Sequence, residues 1–330
     1  MSDKTARDYL KLAQAEDNID RAITACNEAI GLNPLYVEAY VERAWQRRFV
    51  GQFDSALADY AQAIRINPNY AEAYRERGNL RDMCLGDIDG AIADYSQAIH
   101  ADPHSWSAYM DRALAYYFDK SAYDEAIADY TQAIAIDGTA YTYQRRAWVY
   151  FLKSDLLRAI EDYSTAIELD PQATDSYIGR GRAKLEQGDF DAAMADFNQV
   201  LHIRPESFTV YYWRGYAYDE RGDLDQAIVE FDQALKLFPE NWEPLNDRAW
   251  AWYRKGNYDL AIKDATQALA LESIRPDDHW YSYHTRGAAY AAQGDVANAV
   301  ADFQRALAFD VDDSESKQEM RSYLDQHGVT

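Results

Sequence analysis

Cysteine is almost missing from this chain: Cys26 and Cys84 are the only two among 330 residues. Two thiols cannot build a disulfide framework, and Cys26 falls at a core position of the pattern described below, so a buried free thiol is expected. Proline (8) and glycine (15) are scarce too and fall mostly where one helical run gives way to the next, which leaves no linker and no low-complexity segment. No apolar run approaches the length of a membrane span, and Met1–Arg7 is short and polar, unlike a signal peptide. Positive charge is in deficit, with 33 basic against 56 acidic residues and a net charge of −23. Such a balance repels nucleic acid and anionic membrane, and favours solubility and basic partners. No glycine-rich phosphate loop, nucleophile elbow or Cys/His cluster occurs. The six histidines are scattered; His100 and His104 are four apart, but Asp102-Pro103 breaks the helix that would align them on a metal. Neither catalysis, cofactor nor metal is expected, and the expected setting is soluble, reducing and cytoplasmic.

What is present is a unit that returns. Hydrophobic residues make up 48% of the chain, enough for a sizeable core. In Val37–Tyr70, with Val37 as position 1, Tyr40 and Ala44 stand at 4 and 8, Gly51 at 15, Ala56, Tyr60 and Ala63 at 20, 24 and 27, and Pro68 at 32. Positions 4, 8 and 11 and positions 17, 20, 24, 27 and 28 keep helical spacing, which describes two antiparallel helices with small residues where they cross. Pro68 stops the second helix, since it lacks an N–H and restricts the residue before it. One such hairpin cannot bury its own apolar face and needs neighbours.

The same offsets recur in units of about 3–36, 37–70, 71–105, 106–139, 140–173, 174–207, 208–241, 242–279 and 280–311. The first unit is degraded in its first helix, which suits a terminal repeat. The third and fourth have lengthened turns (CLGDID, FDKSAYD), and the eighth a longer exit loop (ESIRPDDH). Residues 312–330 read as a capping helix, with Ser316 and Glu319 as a capping box and Met320, Tyr323 and Leu324 as its apolar stripe. Length alone suggests two globular domains; the repeat array overrides that and predicts one continuous array over 3–311.

This pattern resembles the tetratricopeptide repeat family over about Asp3 to Val311. The resemblance implies an all-α, right-handed superhelical solenoid whose first helices line a concave groove that usually binds proteins or peptides. One departure is regular. Position 7, usually leucine in that family, is arginine in eight units (Arg43, Arg77, Arg112, Arg146, Arg180, Arg214, Arg248 and Arg286). Position 23 is acidic in the same eight (Asp59, Asp94, Asp129, Asp162, Asp196, Glu230, Asp264 and Asp302). The two positions lie at similar depth on facing helices. A pair that does not vary between repeats reads as a structural ladder, not a ligand site.

The variable stripe is where recognition is expected. The resemblance turns positions 2, 5, 9, 12 and 13, with 6 beside them, toward the groove, where aromatic and acidic residues gather. Aromatic density peaks at Trp148, Phe151, Tyr212, Trp213, Tyr216, Trp250 and Tyr253, with Asp219, Glu220, Glu243 and Asp247 alongside. The expectation is a non-catalytic scaffold that holds a basic, partly apolar protein segment there. The alternative is an assembly module that binds copies of itself, or a catalytic subunit, through outer faces or ends. Some members of the family clamp a C-terminal carboxylate with basic residues and asparagines. Arg75 and Asn79 match half of that clamp, but Asp111 stands where the next asparagine belongs.

Overall fold

A computed structural model describes residues 5–271, 279–309 and 314–329. Its helices are α1 (Ala6–Gln14), α2 (Ile19–Leu32), α3 (Val37–Phe49), α4 (Phe53–Ile66), α5 (Ala71–Leu80), α6 (Ile88–Ala101), α7 (Trp106–Lys120), α8 (Tyr123–Ile136), α9 (Ala140–Leu152) and α10 (Leu156–Leu169). They continue with α11 (Thr174–Glu186), α12 (Phe190–Ile203), α13 (Phe208–Glu220), α14 (Leu224–Leu237), α15 (Trp242–Arg254), α16 (Tyr258–Leu269), α17 (His279–Gln293), α18 (Val296–Leu307) and α19 (Ser314–Gln326). No strand occurs among the described residues. The chain is all-α and the helices pair as hairpins, as the periodicity requires. The expected ends at Asp3 and at 311–312, and all of the long exit loop but His279, lie outside the described residues.

The described residues group into two compact units, Met1–Ser176 and Tyr177–Thr330. In the first, α1–α10 form five hairpins, each second helix packing on the next first helix and α3, α5 and α7 packing in succession. In the second, α13 to α18 repeat the arrangement, and α19 packs on α18.

Local sequence sets the joints. The residue that closes each of α2, α4, α6, α10 and α12 is extended, at φ between −132° and −139°, because a proline follows it. Asp137 takes φ −150° ahead of Gly138, so the fourth repeat reaches the same geometry without proline. Between the helices of every hairpin after the first, the chain turns through a left-handed residue. Glycine holds that place at Gly51, Gly86, Gly188, Gly222, Gly256 and Gly294, and serine at Ser121 and Ser154. The extra residue of the third repeat does not lengthen the turn. It is absorbed by a π-helical turn, Arg81–Leu85, that ends α5.

The core lies at the crossing. Alanines at positions 20 and 27, alanine or glycine at 8 and the aromatic ring at 24 are buried in most repeats, and Tyr60, Tyr95, Tyr130, Tyr163, Phe197, Phe231 and Phe303 are the largest such side chains. Cys26 takes position 24 in the first repeat and is wholly buried, which pushes its thiol up to about 12. Met320 and Leu324 of α19 are buried in one cluster with Phe303 and Ala306, with Tyr323 packed against it, so α19 does cover the last hairpin. The capping box expected at Ser316 is a correction: α19 begins at Ser314, so Ser316 sits inside its first turn.

The ladder is complete. All eight position-7 arginines donate to the position-23 acid of their own repeat. The acids are 2% to 6% exposed, while the arginine side chains keep an edge in solvent. Arg47, Arg81 and Lys184, at position 11, add a second cation to their acids. The tyrosine at position 4 lies 5.4 to 5.9 Å from the guanidinium in six repeats, a spacing that fits a cation–π contact.

Candidate ligand clefts

In the C-terminal unit the first helices α11, α13, α15 and α17 present their variable positions side by side. Between α11 and α13 lies a cleft of about 390 Å³ lined by Arg182, Leu185, Glu186, Tyr212, Trp213, Tyr216 and Glu220. Tyr216 is 37% exposed, and its ring centre stands 5.6 Å from that of Trp213. Glu186 and Glu220 are exposed. Burial and then the Glu220 carboxylate raise the Tyr216 hydroxyl above the usual phenol range. One face of Trp213 is already taken: the Arg182 guanidinium lies 4.2 Å from its ring centre.

A second cleft, of about 210 Å³, lies between α15 and α17 and is lined by Asn246, Asp247, Trp250, Trp280, Tyr281, His284 and Thr285, with Ser316 of α19. Asp247 is pushed up to about 7, first by burial and further by Asp219 and Glu243, against hydrogen bonds from Tyr212 and Asn246 that favour its charged form. Tyr212 thus lines one cleft and influences the acid of the other. Its own hydroxyl is raised by burial and then by Asp247.

Six of the expected residues therefore line these two clefts: Tyr212, Trp213, Tyr216, Glu220, Asp247 and Trp250. Tyr253 stacks 5.0 Å from Trp250, and Glu243 is exposed in the first turn of α15. Asp219 is already paired, accepting from Arg254 Nη1 at 2.7 Å. In the N-terminal unit Phe151 is 8% exposed and stacked on Trp148, whose indole N–H donates to Tyr117 at 2.7 Å. Phe151 is packing and not groove wall, because the neighbouring ring covers position 12; this corrects the expectation. Arg75 and Asn79 are likewise engaged internally, Arg75 with Asp111 at 3.0 Å and Asn79 with the Tyr95 hydroxyl at 2.9 Å.

Tyr281 and His284 were missed although they stand at positions 2 and 5 of the ninth repeat, the same offsets that selected the other rings. Trp280, at position 1, carried no such signal. A further cleft of about 260 Å³ in the N-terminal unit gathers Trp45 with Glu42, Glu72 and Glu76, all of them on the variable stripe. Among the described residues no helix is long and apolar enough to cross a membrane.

Comparison with known proteins agrees with this architecture. A tetratricopeptide repeat family model matches residues 84–141, 178–241, 212–279 and 247–314, and two related repeat models match 50–81 and 140–173. Among curated proteins no match is found. Among solved structures, a tetratricopeptide repeat protein from Parabacteroides merdae is similar at 19% identity and TM-score 0.64, over 77% of this chain and 98% of that one. Yeast Tom70 is similar at 14% identity and TM-score 0.58, over 98% of this chain and 82% of that one. Repeats of this kind generally mediate protein–protein interaction and are generally non-catalytic. The chain belongs to the tetratricopeptide repeat family.

Proposed function

We propose that the protein is a non-catalytic scaffold whose C-terminal unit holds a basic, partly apolar protein segment along the first-helix clefts. The observation that carries this reading is the cleft around Tyr216, where an accessible ring shares the lining with two exposed carboxylates, Glu186 and Glu220, and an internal arginine already lies over Trp213. Aromatic rings bury much area at low entropic cost, and a cation gains from ring face and carboxylates together. Tyr212, Trp213, Tyr216, Glu220, Glu243, Asp247, Trp250 and Tyr253 are the residues assigned to this role. Fluorescence anisotropy with a labelled peptide of alternating lysine, arginine and leucine tests it. The expected outcome is binding that weakens at least about tenfold, some 1.4 kcal/mol, in the Tyr216→Ala, Glu220→Gln double variant, with helicity unchanged. Equal binding of a glutamate-rich peptide of the same pattern overturns it.

Self-association is the second reading, and one observation favours it: Met83, Leu85 and Phe118, at the turn ends of repeats three and four, are 77%, 44% and 64% exposed. Light scattering separates the two readings, because peptide binding needs no second copy.

A further inference from the structure

The cleft between α15 and α17 leaves its polar groups in an unusual state. Asp247 on α15 is half-buried, lines the cleft beside Asn246, and makes no ion pair among the described residues. Across from it His284 on α17 is 8% exposed, and its Nε2 has no hydrogen-bond partner among the described residues. The closest acid, Glu319, stands 3.6 Å away, beyond a hydrogen bond. A buried acceptor or donor is seldom left unmade in a folded protein unless something else completes it. The surroundings are aromatic: the Trp250 and Trp280 rings are centred 5.7 and 6.4 Å from the imidazole, and Tyr281 is exposed beside them.

We infer that this cleft is an arginine subsite, in which a guanidinium from the partner segment lies against Trp250 and donates to the Asp247 carboxylate and to His284 Nε2. This assignment rests on the proposed binding of a basic segment and adds which basic residue is read, and where. Three features select arginine. Its flat fork carries five donors, so it can serve a carboxylate and an imidazole nitrogen at once, which one ammonium on a flexible stem does less well. Its face stacks on an indole, as Arg182 already does on Trp213. The cleft, at about 210 Å³, has room for one long side chain and not for a helix. Asp247 and the exposed Glu243 supply the complementary charge. An arriving guanidinium also supplies a positive partner that the half-buried carboxylate has nowhere among the described residues.

The full chain, labelled with 15N, is titrated with the N-acetyl, N-methylamide derivatives of arginine, lysine and citrulline while the Trp250 indole signal, assigned with Trp250→Phe, is followed. The expected result is a saturable Trp250 shift with the arginine derivative and an affinity at least about fivefold weaker for lysine. Citrulline, which keeps the shape and loses the charge, is expected to give no saturable shift. Asp247→Asn, isosteric with the protonated acid, is expected to weaken the arginine response at least about tenfold, with the thermal midpoint no lower than the parent's. Equal responses to arginine and citrulline, a full response in Asp247→Asn, or no saturable shift overturns the subsite. The three-ligand comparison needs no variant, so it decides the matter even if Asp247→Asn fails to fold. Loss of the subsite with peptide binding at the Tyr216 cleft intact leaves the broader reading standing; loss of peptide binding alone removes the broader reading.

Discussion

In seven repeats the position-7 arginine meets its aspartate through two parallel hydrogen bonds, Nε to Oδ2 and Nη2 to Oδ1, at 2.6 to 2.9 Å. At Arg214 the acid is Glu230, and only Nη2 to Oε1 is made, at 2.7 Å. Arg214 Nε and Glu230 Oε2 are left buried and without a hydrogen-bond partner among the described residues. One additional methylene carries the carboxylate past the position where both oxygens face the fork. Glu230→Asp is therefore expected to restore the second bond and raise stability by about 1 kcal/mol, read as a higher urea midpoint. A midpoint lower than the parent's would mean that the lost methylene packing outweighs the bond. The pairing itself was legible in the sequence, because the same two residue types return at the same two offsets. The third contact was not. In five repeats Nη1 bonds residue 25 of the preceding repeat (Asn27, Ser96, Thr131, Asp232 and Thr266), and those side chains share a position and a hydrogen-bonding capacity but no residue type.

The crossing of a hairpin depends on what faces position 8. At Gly215 an added Cβ stands 2.6 Å from the Phe231 ring, and at Gly78, Gly181 and Gly287 it stands 2.6 to 2.8 Å from the corresponding Tyr95, Phe197 and Phe303. In an ordinary helix interior, glycine to alanine gains up to about 1 kcal/mol. Here the ring is wholly buried and has nowhere to move, so Gly215→Ala is expected to lower stability by about 1–3 kcal/mol, measured by thermal melting. A rise in midpoint would show that the ring yields. The sequence announced these elements well, since a period of about 34 residues with glycine and proline at fixed offsets leaves little freedom in element type. It did not reveal where an insertion goes. The extra residue of repeat three could lengthen the turn or the helix, and only the structure shows it wound into Arg81–Leu85 while Gly86 keeps the left-handed turn. Nor does spacing tell an exposed ring from one covered by a neighbouring ring. Phe151 and Tyr216 both lie on the variable stripe, yet one is 8% and the other 37% exposed.

At the scale of the whole chain the dominant fact is the net charge of −23. Its effects divide by burial. The ladder acids are buried and each faces an arginine, so dissolved salt reaches them weakly. The free carboxylates, such as Glu186, Glu220 and Glu243, are exposed and repel one another through solvent. Screening lengths fall from about 20–30 Å in dilute buffer to a few ångströms at high salt. Salt is thus expected to relieve repulsion in the folded chain while removing the attraction that guides a basic segment to the clefts. Raising sodium chloride from about 0.02 M to about 0.5 M should lift the thermal midpoint and, in the same buffers, weaken the lysine–arginine–leucine peptide. The two measurements move in opposite directions only if repulsion among exposed acids outweighs the exposed ion pairs, such as Arg254 with Asp219 and Lys153 with Asp124. Such pairs contribute about 0–1 kcal/mol each and are screened by the same salt. A midpoint that falls with salt would reverse that ranking, so that attraction within the exposed pairs exceeds the repulsion among the acids. A peptide affinity unmoved by salt would assign its binding to the rings alone and remove the carboxylates from recognition.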